Sequence, residues 1–174
     1  MSLQLDGTNG VLGNSGAFIA GTAQASTSGT SIDFTSIPSW VKRITVMFNG
    51  VSTNGSSPPQ IQVGAGSITT SGYLGSNTFN NGTVAAGANF TTGFGLGVNT
   101  SYWAASCVAQ GSVSITLQTG NSWVATGSIG RSDAIGSYVT NGLIALSGTL
   151  DRVRITTVNG TDTFDAGSIN ILYE

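Results

Sequence analysis

The chain has no histidine, one cysteine and one lysine in 174 residues, and only 7% of its residues are charged. Each scarcity removes a class of chemistry. Without histidine there is no Ser-His-Asp or Cys-His nucleophile activation, and the commonest transition-metal ligand is missing. A lone Cys107 cannot close an intrachain disulfide, so it reads as a small buried apolar residue in a protein made in a reducing cytoplasm. Four arginines and Lys42 are the whole cationic complement, and the net charge is −2. That supplies no basic stripe to neutralise phosphates, which argues against nucleic-acid binding. No run approaches the roughly 18 apolar residues of a membrane helix, so no membrane insertion is expected. No basic stretch leading into an apolar one marks a secretory signal.

In place of charge stand 26 glycines, 23 serines and 23 threonines. Small polar and β-branched residues with few strong helix formers predict short strands joined by tight turns. Period-two alternation locates the strands. In "WVKRITVMF", Ile44, Val46 and Phe48 share one face, with Arg43, Thr45 and Met47 on the other. In "RVRITTV", Val153, Ile155 and Thr157 alternate with Arg152, Arg154 and Thr156, and the final strand gathers Ile169, Ile171 and Tyr173. "SIDFTSI" (31–37), "QIQVGAG" (60–66), "ANFTTGFGLG" (88–97), "SYWAASCVA" (101–109), "SVSITLQT", "NSWVATGSI" (121–129) and "GLIALSG" (142–148) read the same way. About ten short strands at this turn spacing predict an all-β fold, a β-sandwich of jelly-roll type.

One domain is expected over residues 17–174, with polar loops at 49–58 and 75–87. "KRITVMFNG" (42–50) and "VRITTVNG" (153–160) echo one another, which two strands meeting the same packing requirement explain. Residues 1–16 differ from the rest. Leu3 and Leu5 alternate with Gln4 and Asp6 before "GTNG", a two-strand element too small to be stable alone. It reads as an attachment segment, with Leu3 and Leu5 meeting another surface.

Catalytic chemistry has little to work with. Glycoside hydrolysis needs two carboxylates about 5–9.5 Å apart, and the chain has seven acids in all. Asp162 and Asp165 lie close in "NGTDTFDAG" and could touch one hard cation; a solvated turn bonding its own backbone is the plainer reading. "GFGLG" (93–97) lacks the strand-to-helix context of phosphate binding. No enzyme activity, cofactor or metal is expected. Trp40, Phe48 and Trp123 fall in strand patterns and read as core. Tyr102 and Trp103 stand side by side, and adjacent strand residues point to opposite faces. One ring of the pair is therefore expected outside the core, as a subunit-interface anchor, a plain surface ring or a platform for a sugar.

"TSIDFTSIPSWVKRITVMFNGVSTNG" (30–55), "NSWVATGSIG" (121–130) and "SGTLDRVRITTVNGTDTFDAGSINILYE" (147–174) together resemble a module from the C-terminal ends of phage tail fibres and other virion structural proteins. "LDGTNG" (5–10) is similar to the short strands that introduce such modules, whereas 56–120 carries little of the likeness. The resemblance implies a non-enzymatic virion-surface β-domain, made in the host bacterial cytoplasm, forming a homotrimer and facing the host. Its partners would be its own copies, other virion proteins and a host surface glycan. Tail fibres carry a shaft and a tail-binding domain, of which sixteen residues here hold no trace. A capsid decoration or cement protein, attached through its N-terminal segment, is the alternative expectation.

Overall fold

The computed structural model describes residues 18–174, together with the backbone of 4–6 and 10–12. All regular structure among the described residues is strand. Gln4–Asp6 (β1) and Gly10–Leu12 (β2) pair as a two-stranded antiparallel ribbon. Short pieces follow at Ile19–Ala20 (β3) and Gln24–Ala25 (β4), then Ser31–Thr35 (β5), Arg43–Thr53 (β6), Pro59–Ala65 (β7) and Ser67–Ile68 (β8). Leu74–Asn80 (β9), Ala85–Phe90 (β10) and Phe94–Gly95 (β11) lead to the long meander Ala109–Thr119 (β12), Ser122–Arg131 (β13) and Ser137–Ala145 (β14). Arg152–Thr157 (β15) and Phe164–Tyr173 (β16) complete the chain.

These strands form two antiparallel sheets stacked as a β-sandwich. The larger runs β10-β9-β14-β13-β12-β6-β16-β3, with β4 also on β16; the smaller runs β11-β7-β15-β5, with β8 also on β7. The jelly-roll order expected from the sequence is not established by this topology. Three consecutive strands, β12 to β14, meander within one sheet, and the β9–β10 hairpin joins its edge.

The alternating faces meet in the middle. Ile44, Val46 and Phe48 of β6 and Ile169 and Ile171 of β16 are buried, as are Val153, Ile155 and Thr157 of β15. Strands such as β6 and β16 thus contribute alternate side chains to the core, whereas β7 is buried on both faces, and burying a large aliphatic chain contributes roughly 1.5–3 kcal/mol. Of the aromatics assigned to the core, Phe48 and Trp123 are fully buried, while Trp40 is half-buried against Tyr173, ring centroids 5.9 Å apart. The echoing segments lie in opposite sheets, β6 in the large and β15 in the small.

Three expectations are corrected. Residues 49–58 are not one long loop: β6 continues to Thr53 and buries Val51, with Gly50 turned to positive φ to carry the irregularity. Residues 75–87 belong mostly to the β9–β10 hairpin, whose Asn77 and Phe79 point inward. Residues 101–109 are turns until β12 begins at Ala109.

Candidate functional site

Where β10, at the edge of the large sheet, hands over to β11, at the edge of the small one, the sheets part and leave a cleft of about 600 Å³. Its buried wall includes Asn77, Pro58 and Val98; its exposed rim includes Ser56, Asn99, Thr100 and Asn159. Phe90, half-buried, contributes a ring.

The wall is held in place from behind. Asn77 Nδ2 donates to Gly97 O at 2.7 Å and Thr140 Oγ1 to Gly95 O at 2.5 Å. Gln62 Nε2 donates to Thr92 O at 2.8 Å, and Thr92 Oγ1 to Gln60 Oε1 at 2.9 Å. The "GFGLG" stretch now has a physical reason. Phe94 and Leu96 fill the core, and a side chain at Gly97 would come within 2.9 Å of both Pro58 and Trp103. The backbone can pass there only without a Cβ.

Asp162 braces the opposite lip, accepting from Ser57 N at 2.9 Å and from Asn159 Nδ2 at 2.7 Å. Asp165 instead accepts from the Ser52 hydroxyl. The two acids that stand close in the sequence therefore tie different segments, and Asp162 has its oxygens engaged in holding a turn. Around Val158 the surface continues into a second, polar hollow of about 330 Å³ that shares Thr92, Val158 and Asn159 with the first.

Tyr102 and Trp103 lie in a turn, both backbone amides donating to Asn99 O, at 3.1 and 3.0 Å. Strand alternation does not apply, and both rings turn toward the core. Trp103 is 1% exposed and packs on Tyr138 at 5.5 Å; Tyr102 is half-buried on Phe79 at 5.1 Å. Tyr138 donates its hydroxyl to Tyr102 O, closing the cluster, and burial pushes its pKa up to about 12. The pair plugs the end of the sandwich; within one chain Trp103 offers no surface to a partner. Leu3 lies outside the described residues, and Leu5 is described only as backbone, paired with Val11.

The outer face of the large sheet is the second feature. Registered across it run Leu74, Leu143, Val124, Thr116 and Arg43 in one row, and Ser76, Asn141, Thr126, Ser114 and Thr45 in the next. Leu74, Val124, Val139 and Leu143 are all exposed. Across β9, β14, β13, β12 and β6 the outward positions hold one charged side chain, Arg43, and it is paired with Glu174.

Charge is neutralised elsewhere too. Arg154 lies opposite Asp33 on the small sheet and makes a bidentate pair, both contacts 2.7 Å. Arg152 pairs with Asp151, and Arg131 with Asp133. The Arg131 guanidinium holds Asp133 below its ordinary pKa, as Arg152 does Asp151. Cys107 is buried as expected; burial raises its pKa, keeping the thiol protonated and unreactive.

No family model matches the chain, and no curated protein matches it. The residues that build the cleft escaped the sequence reading because Asn77, Thr92, Asn99 and Asn159 are of the types that fill any solvated loop. One signal was present: the glycines alternating with Phe94 and Leu96 mark a backbone pressed against something.

Proposed function

We propose that this chain is a non-enzymatic surface protein of a bacteriophage virion, a tail-fibre-type receptor-binding module that works as a homotrimer. The resemblance of residues 30–55, 121–130 and 147–174 to fibre-tip modules supports the assignment. The structural observation that carries it is the uncharged outer face of the large sheet. Five strands at about 4.8 Å spacing and nine residues at about 3.4 Å rise give a plane of about 24 by 30 Å. That is of the order of the roughly 800 Å² per partner in a standard interface. Copies that each carry a net −2 can approach on such a face without opposing charges to desolvate. The interface anchor is thereby moved from Tyr102 and Trp103 to Leu74, Val124 and Leu143. The engagement of Asp33, Asp133, Asp151 and Glu174 with arginines supports a structural use of the acids. Residues 1–16, with Leu3 and Leu5, are proposed to join the module to the rest of the particle.

Immunogold labelling of purified virions that encode the chain tests this. Label at the tail tip is the expected outcome. Label over the head would replace the receptor-binding reading with capsid decoration, and unlabelled particles would remove the virion reading altogether.

A further inference from the structure

Asn77 is 2% exposed, lines the cleft, and leaves its Oδ1 without a hydrogen-bond partner among the described residues. An unsatisfied buried amide oxygen costs roughly 1–3 kcal/mol, here on β9, a strand paired on both sides. The other half of the same amide is committed to Gly97 O. The side chain is thus fixed in the cleft wall, with its acceptor unused among the described residues. On the exposed rim, Asn99 and Thr100 add an amide and a hydroxyl, groups that both give and accept hydrogen bonds. Pro58 and Phe90 add apolar surface. The cleft's only ionisable side chain is Asp162, whose two oxygens already accept from Ser57 and Asn159.

We infer that the cleft is a binding site for a neutral polysaccharide. A sugar matches the exposed part of the site: hydroxyls that exchange bonds with the Asn99 and Thr100 rim, C–H faces that pack on Phe90 and Pro58, and no charge to be met. The volume lies within the range of small-ligand sites, about 300–1,000 Å³. The polar hollow beyond Val158, which shares Thr92 and Asn159 with the cleft, gives the site the length for successive units of a chain. The inference rests on the receptor-binding reading for its biological role, the polysaccharide being the host-surface group engaged; the binding chemistry stands on the cleft.

The test is a printed array of bacterial capsular and O-antigen polysaccharides probed with the purified full-length protein. It is repeated with Val158→Arg, which places a long side chain on the shared rim, and Thr100→Ala. Ile135→Ala, on an exposed turn away from the cleft, is the control. Wild type and Ile135→Ala should bind at least one uncharged polysaccharide, and each cleft variant should lose at least about tenfold in affinity while keeping the wild-type melting temperature. Both cleft positions are exposed, so folding should survive. Binding only to acidic glycans, equal binding by the cleft variants, or no binding to any printed glycan overturns the site. A blank array with gold label at the tail tip would sink this inference alone. Glycan binding with unlabelled particles would sink the virion reading and leave the site standing.

Discussion

The outer faces of the two sheets are built from the same alternation and use it differently. On the small sheet the outward positions of β15 are Arg152 and Arg154, each tied to a carboxylate, with Gln62 beside Arg154. On the large sheet the outward positions are mostly Ser, Thr, Asn and a few aliphatics, with one charged side chain, Arg43, paired with Glu174. A face that must stay in water tolerates charged pairs, since an exposed pair costs little and contributes about 0–1 kcal/mol. A face to be covered by another copy cannot hold them without desolvation. On the proposed reading the large-sheet face meets another copy, while on the small sheet Arg152 and Arg154 stay part-exposed beside Gln60, Gln62 and Thr156, which the chain itself covers.

The strongest way to break that contrast is to put charge where there is none. Leu143→Arg, flanked in register by Leu74 and Val124, should convert the proposed trimer to monomer by light scattering at micromolar concentration. Arg154→Ala on the small sheet should leave it trimeric. A monomeric wild type would end the argument for the large face.

Next comes the Tyr102–Trp103 turn. Trp103→Ala empties a fully buried site and should lower unfolding free energy by about 3–5 kcal/mol in a denaturant titration. Tyr102→Ala, half-buried, should cost less. Dissociation by Trp103→Ala with unchanged stability would return that ring to the interface.

A smaller effect separates charges used to hold loops from charges on a face. Asp133 accepts from Val108 N at 2.9 Å and from Arg131, and its folded pKa is depressed. Its contribution is therefore present above the unfolded value, about 3.9, and is lost as pH falls through the folded one. Asp133→Asn should lower the melting temperature at neutral pH and make its decline below about pH 4 shallower. The smallest effect belongs to the small-sheet face: Arg154→Ala should cost at most about 1 kcal/mol, because both partners are more than a third exposed. A larger loss would mean that this face, too, is covered.

How much was legible follows from how local each signal is. The inward faces of β6, β15 and β16 could be read from their alternation, and the burial of Cys107 from its being a lone cysteine. The hairpin at 75–87 was missed because Asn, Thr and Gly mask its alternation of Asn77 and Phe79, and a polar residue turned inward looks like one turned out. The Tyr102–Trp103 pair was expected on a strand because "SYWAASCVA" has strand composition, while Asn99 closes a turn through both residues that no period reveals.

The sequence by itself determined the class: strands, two-faced alternation, a scarcity of charge, and a core that needs no crosslink, all consequences of which residue stands next to which. Only the tertiary structure decided the strand order and the inward turn of Trp103. It also decided the cleft, whose walls come from residues 56–58, 77, 88–100 and 158–162. Those segments meet through pairings of β7, β9, β11 and β15 across large sequence separations, and a pairing between distant strands leaves no period in either one.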